Sequence, residues 1–124
     1  MYIKNKNDFQ LKLGQNGCLT AKMIDNSECD YSVLYNRLDA GKSSNQHAHD
    51  DCDELYYIID GSGILNVADE SKSIVTGDMV VIPKGAFHFL TNESDTPVEF
   101  LTIGFSGGLY DGWKMWLHGV NKPS

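Results

Sequence analysis

Arginine is nearly missing from this chain: among 124 residues, Arg37 is the only one. Lysine and arginine together number ten, against seventeen aspartates and glutamates, for a formal net charge of −7 at pH 7. The shortage of positive charge runs through both halves, so there is no basic arm or patch. That argues against nucleic acid, and against an anionic membrane surface, as partner. Long apolar runs are also missing; none approaches the roughly 20 residues needed to cross a bilayer. The first ten residues, MYIKNKNDFQ, lack the apolar centre of a secretory signal. Cysteine is scarce and odd in number: Cys18, Cys29 and Cys52, with no CxxC spacing. A disulfide framework is not expected, and a reducing, cytoplasmic setting is the simpler reading. Proline occurs three times against twelve glycines, a balance that favours tight turns over a disordered tract.

A length of 124 residues suits one domain, residues 1–124, with enough chain to bury a core unaided. The apolar residues alternate with period two over short stretches. Strands are expected at Phe9–Leu13, Cys18–Ile24, Tyr31–Leu38, Glu54–Ile59, Ile64–Val67, Ser73–Val75, Met79–Pro83, Phe87–Thr91 and Val98–Phe105. Turn residues separate them, among them Ala40-Gly41, Gly61-Ser62-Gly63, Ala68-Asp69-Glu70 and Gly77-Asp78. Short strands punctuated this regularly read as an all-β sandwich or barrel. Before Gly107 no segment keeps a helical period; the tail, 106–124, has room for one short helix between Gly108 and Val120. Both tryptophans, Trp113 and Trp116, lie in that tail, where they would cover the barrel, close its mouth or join a dimer contact.

Three of the four histidines fall into two clusters. His47 and His49 are two residues apart, so on an extended segment both imidazoles share a face. An acidic stretch follows, with Asp50, Asp51 and Asp53 expected in solvent, and Glu54 then opens the run ELYYII. The second cluster ends on His88. A strand pairing that set His88 beside the first cluster would converge three imidazoles and a carboxylate. Such nitrogen and oxygen donors suit Fe, Mn, Ni, Zn or Cu. Tyr56 shares a strand face with Glu54 and should point toward the same centre, either to donate a proton or hydrogen bond to a substrate or simply to pack. Arg37 has two readings: turned inward it would grip a substrate carboxylate or phosphate, and turned outward it would sit at the sheet rim. Phe87 and Phe89 alternate with His88 and should face away from it. Cys52, among carboxylates, is not expected to be a reactive thiolate.

These residues resemble the cupin superfamily. Its first motif, G-x5-H-x-H-x3,4-E-x6-G, is met by Gly41, His47, His49, Glu54 and Gly61. Its second, G-x5-P-x-G-x2-H-x3-N, is met by Gly77, Pro83, Gly85, His88 and Asn92. The motif core is therefore 41–92. The resemblance implies a double-stranded β-helix, or jelly-roll barrel, holding one divalent transition metal per chain on His47, His49, Glu54 and His88. It also implies a metal-dependent enzyme on a small molecule: a dioxygenase, or a Lewis-acid isomerase or lyase with Glu54 or Tyr56 handling protons. The alternative is a non-catalytic small-molecule or sugar-binding module. A small barrel with open sheet edges is expected to form a homodimer.

Overall fold

The structure, a computed structural model, describes residues 1–24, 31–49 and 52–106. Among these residues there are nine strands: β1 (Lys12–Leu13), β2 (Leu19–Ile24), β3 (Tyr31–Leu38), β4 (Cys52–Asp60), β5 (Ser62–Val67), β6 (Glu70–Val75), β7 (Met79–Ile82), β8 (His88–Thr91) and β9 (Val98–Ser106). Every ladder between them is antiparallel. A larger sheet runs β1-β2-β3-β9-β4-β7 and a smaller one β6-β5-β8. Tyr56, Ile58, Ile82, Val98, Phe100 and Leu38 from the larger sheet pack against Leu65, Ile74 and Leu90 from the smaller, forming one core. This is the expected all-β jelly roll, with one difference: among the described residues no ladder joins β6 to β7, so the barrel is open there.

Strand limits move where side chains redirect the backbone. The expected strand at Phe9–Leu13 shrinks to Lys12–Leu13; Phe9 instead closes a 3-10 turn at Lys6–Asp8, its N–H donating to Lys6 O. Cys18 lies outside β2, since its N–H is taken by Asn16 Oδ1 at 2.9 Å. Phe87 also drops out, because Ala86 N–H turns back to Pro83 O at 3.2 Å. In the other direction, β5 and β6 extend to meet at a two-residue turn, Ala68-Asp69. Pro83 follows the last residue of β7, an edge strand, where its missing N–H breaks no ladder. No helix among the described residues is long and apolar enough to cross a membrane. The short helix expected at 108–120 lies outside the described residues.

Candidate metal centre

Two stretches far apart in sequence are zipped together to make the site. Residues 41–49 run antiparallel beside β8 and the turn before it. Gly41 N–H donates to Asn92 O (2.8 Å), Ser44 N–H to Leu90 O (2.8 Å), and Gly85 N–H to His49 O (2.6 Å). His47 and His88 face each other as a bridge pair, exchanging N–H···O bonds of 3.2 and 2.9 Å. Ser44 Oγ accepts the Leu90 N–H at 2.8 Å, keeping this irregular ladder closed. Asn92 anchors its far end, donating to Leu38 O at 3.0 Å and Thr96 O at 2.8 Å. The motif glycines take left-handed backbone where the chain turns; at Gly61, with φ +103°, an added Cβ would stand 2.9 Å from Pro97 O.

This frame converges His47, His49, Glu54 and His88, whose nearest donor atoms all lie within 4.8 Å of one another. Glu54 and His88 are buried, while His49 keeps 39 % of its side chain exposed and marks the open side. The ring orientations are fixed from behind. His47 Nδ1 lies 2.8 Å from Asn45 O, and His88 Nδ1 lies 3.0 Å from Ala86 O. A carbonyl oxygen only accepts, so each Nδ1 carries the proton and each Nε2 presents a lone pair. This is how proteins orient imidazole ligands toward a metal. His88 Nε2 is fully buried and has no hydrogen-bond partner. An orphaned buried acceptor is costly, and a cation in the middle of the cluster would satisfy it. His49 Nε2 stands 2.6 Å from Glu54 Oε2, which is also 3.8 Å from His88 Nε2. Burial is the main cause that holds the His88 pKa below its ordinary value, against the Ala86 carbonyl and Glu54, which raise it. Its neutral, ligating form is thereby favoured. The cluster fits a divalent transition ion in donor chemistry and burial.

Tyr56 is placed as its strand face requires: buried, stacked on Phe100 with ring centroids 5.1 Å apart, and edge-on to His88 at 6.0 Å. Burial first, then the Glu54 charge, pushes its phenol pKa well up. The hydroxyl therefore keeps its proton at neutral pH. Arg37 is not brought to the cluster. It lies on β3 between buried Asn36 and Leu38, so it points to the other face, where its Nε bonds Asp39 Oδ1 at 3.2 Å. The inward reading of Arg37 is corrected by this strand alternation. Asp53 is also a correction: instead of being solvated it is buried, and its Oδ1 accepts the Lys84 N–H at 3.0 Å, tying β4 to the turn before His88. Phe87 is exposed and His88 buried, as alternation requires. Asp50, Asp51, Trp113, Trp116 and His118 lie outside the described residues. The sequence reading missed the carbonyls of Asn45 and Ala86, since a backbone acceptor leaves no side-chain signal.

A family model described as "Cupin domain" matches residues 35–104 of the chain. The chain is 31% identical over 67 residues to an oxalate-binding protein of Thermotoga maritima, covering 54% of this chain and 55% of that one. It is 32% identical over 84 residues to an acireductone dioxygenase of Gallus gallus, covering 64% of this chain and 42% of that one. It thus spans about half the length of the curated relatives it matches. A solved Cupin 2 conserved barrel domain protein from Salinispora arenicola superposes with a TM-score of 0.75 at 19% identity, over 93% of this chain and 97% of the other.

Proposed function

The chain belongs to the cupin domain family, and we propose that it is a metal-dependent enzyme acting on a small, oxygen-bearing organic molecule, most simply as a dioxygenase. The observation that carries this reading is the buried, unpartnered His88 Nε2 facing His47, His49 and Glu54. Those four residues would hold one divalent ion per chain, leaving about two positions of a six-coordinate ion for a chelating ligand. The bound ion would supply Lewis acidity and, if redox-active, electrons for dioxygen chemistry. The chain's own residues do the rest. His49, on the exposed side, sets where a substrate enters. Tyr56, kept protonated by burial, donates a hydrogen bond or proton at a substrate oxygen. Glu54, 2.6 Å from His49 Nε2, supplies the carboxylate of the metal set, and its charge helps to keep the Tyr56 phenol protonated. The apolar walls around Tyr56, Phe100 and Leu90 exclude water behind it.

Similarity to an acireductone dioxygenase supports the dioxygenase reading; Lewis-acid isomerase or lyase chemistry would use the same residues. A second reading, a module that binds a small dicarboxylate without turnover, is favoured by the likeness to the oxalate-binding protein. Protein loaded separately with Fe, Mn, Ni, Zn or Cu separates them. Oxygen uptake on adding an enediol or small oxoacid supports the dioxygenase. Anaerobic substrate loss points to isomerase or lyase chemistry. Tight binding of oxalate with no turnover of any candidate would overturn the enzyme reading.

A further inference from the structure

Strand register sets Ser32 on β3, Gly104 on β9, Glu54 on β4 and Ile82 on β7 side by side in one row. On one flank of Glu54 the buried Ile82 fills the space. On the other flank Gly104 leaves it open. The backbone does not call for glycine there, since Gly104 does not take positive φ. Glycine inside a strand weakens it, and often marks the close approach of a ligand. A Cβ added at Gly104 would meet two side-chain atoms, Ser32 Oγ at 3.0 Å and Cys52 Sγ at 3.9 Å. Ser32 and Glu54 stand two strand spacings apart, about 10 Å, with the Gly104 backbone between them. The inner face opens toward this row: Ile58, Phe100 and Asn36 are buried, whereas Gly104 and Ser32 are partly exposed.

The next row inward is Leu34, Thr102 and Tyr56. Thr102 lies two residues before Gly104 on the same face of β9, and a buried network holds it as a donor. Asn36 Nδ2 faces Leu34 O at 3.3 Å and Phe100 O at 3.4 Å. Carbonyl oxygens only accept, so the orientation of this amide is fixed. The same Nδ2 donates to Thr102 Oγ1 at 3.2 Å. Behind it, Asn36 Oδ1 accepts from Thr20 Oγ1 at 3.0 Å and from Asn16 Nδ2 at 3.2 Å. The Thr102 oxygen is thus used as an acceptor, and its hydroxyl hydrogen remains for another partner.

We propose that a small carboxylate-bearing ligand of the metal centre lies over Gly104 and takes hydrogen bonds from the Thr102 and Ser32 hydroxyls. This rests on the metal-dependent reading above. A divalent ion held by neutral imidazoles and one carboxylate keeps a net positive charge, and a charge so enclosed favours an anionic ligand. The two hydroxyls bring donors to a carboxylate, which has only acceptors. Gly104 thereby limits the bulk of the ligand, and Thr102 sets its orientation.

Protein loaded with zinc, which is not redox-active, reads binding apart from turnover, by titration calorimetry with oxalate and with pyruvate. The loaded parent should bind at least one of them. Thr102→Val should keep the zinc and weaken that binding about tenfold or more, as loss of a hydrogen bond to a charged group does. Thr102→Ser, which keeps the hydroxyl, should restore it. Gly104→Ala, by filling the seat, should weaken binding at least as much with zinc content unchanged. If Gly104→Ala disturbs the sheet, read by circular dichroism, the two Thr102 variants decide alone. Zinc-loaded variants that bind as the parent does would overturn the seat and leave the metal centre standing. A loaded parent that binds neither anion would overturn the ligand class. A parent that holds no zinc would overturn the metal-dependent reading, and this inference with it.

Discussion

At the residue scale, Tyr56 and His88 carry the most testable chemistry. Tyr56→Phe removes one oxygen and little volume, so the fold and metal content should persist. If the hydroxyl handles a proton, turnover should fall by roughly 10²–10⁴. Near-normal turnover would reduce Tyr56 to packing against Phe100, and a raised KM with kcat spared would make it a substrate anchor. His88 makes a pH prediction with a definite sign. Its imidazole pKa is lowered in the fold, chiefly by burial. Near its unfolded value of about 6.5 the unfolded chain binds a proton that the native state resists. Stability of the metal-free protein therefore rises with pH through this window and is lost as pH falls below it. Urea denaturation between about pH 7 and pH 5 should show a smaller fall for His88→Gln than for the parent; equal falls would contradict this. Cys18 gives a third prediction. Burial pushes its thiol up to about 12, so iodoacetamide should leave it unlabelled in the native protein and label it in urea. Native labelling at Cys18, read by peptide mass, would contradict its placement.

At the scale of elements, the β5–β6 hairpin and the Gly61 turn make opposite predictions. Ala68 sits in the two-residue turn with φ +53°, a left-handed conformation that a side chain tolerates poorly. Ala68→Gly should stabilise the protein by about 1 kcal/mol in urea denaturation. Gly61 is already left-handed and closed in by Pro97 O and the Val98 backbone. Gly61→Ala should cost roughly 1–3 kcal/mol; no loss would mean the turn relaxes freely. These two positions also show what the sequence could reveal. Gly61 and Gly85 both take positive φ, and both are fixed positions of the spaced motifs that carry the ligands. Ala68 carried a turn signal only through its neighbours Asp69 and Glu70, and nothing in alanine announces positive φ. The ligand set was legible because the i, i+2 spacing of His47 and His49 and the strand parity of Glu54 and Tyr56 are local properties. The outward turn of Arg37 and the burial of Asp53 were not, since each depends on which strand packs alongside. Likewise Phe9 left the expected strand for the 3-10 turn held by the Asn5–Asp8 capping box, a local competitor that period-two counting ignores.

At the scale of the molecule, two sheets enclose a core beside which the donor cluster opens on the His49 side, and an ion bound there would tie residues 41–49 and Glu54 to β8. Such an ion stabilises the native state by mass action, about 2.7 kcal/mol when free metal is 100 times its Kd. Chelation should thus lower the melting temperature while leaving the chain folded, because the core spans both sheets without it. Among the described residues β1 is an edge strand, and Met1, Tyr2 and Ile3 are exposed apolar residues at the same end of the chain; both favour a homodimer built on the N-terminal strands. Light scattering should give about twice 13.8 kDa, and a single-chain mass would contradict that. The most direct test of the central claim is elemental analysis of purified protein reconstituted with excess divalent transition metal and desalted. The account predicts one ion per chain in the parent and in Tyr56→Phe, and a large loss in His47→Ala and in His88→Ala. A parent that retains no ion, or alanine variants that keep the full stoichiometry, would contradict it.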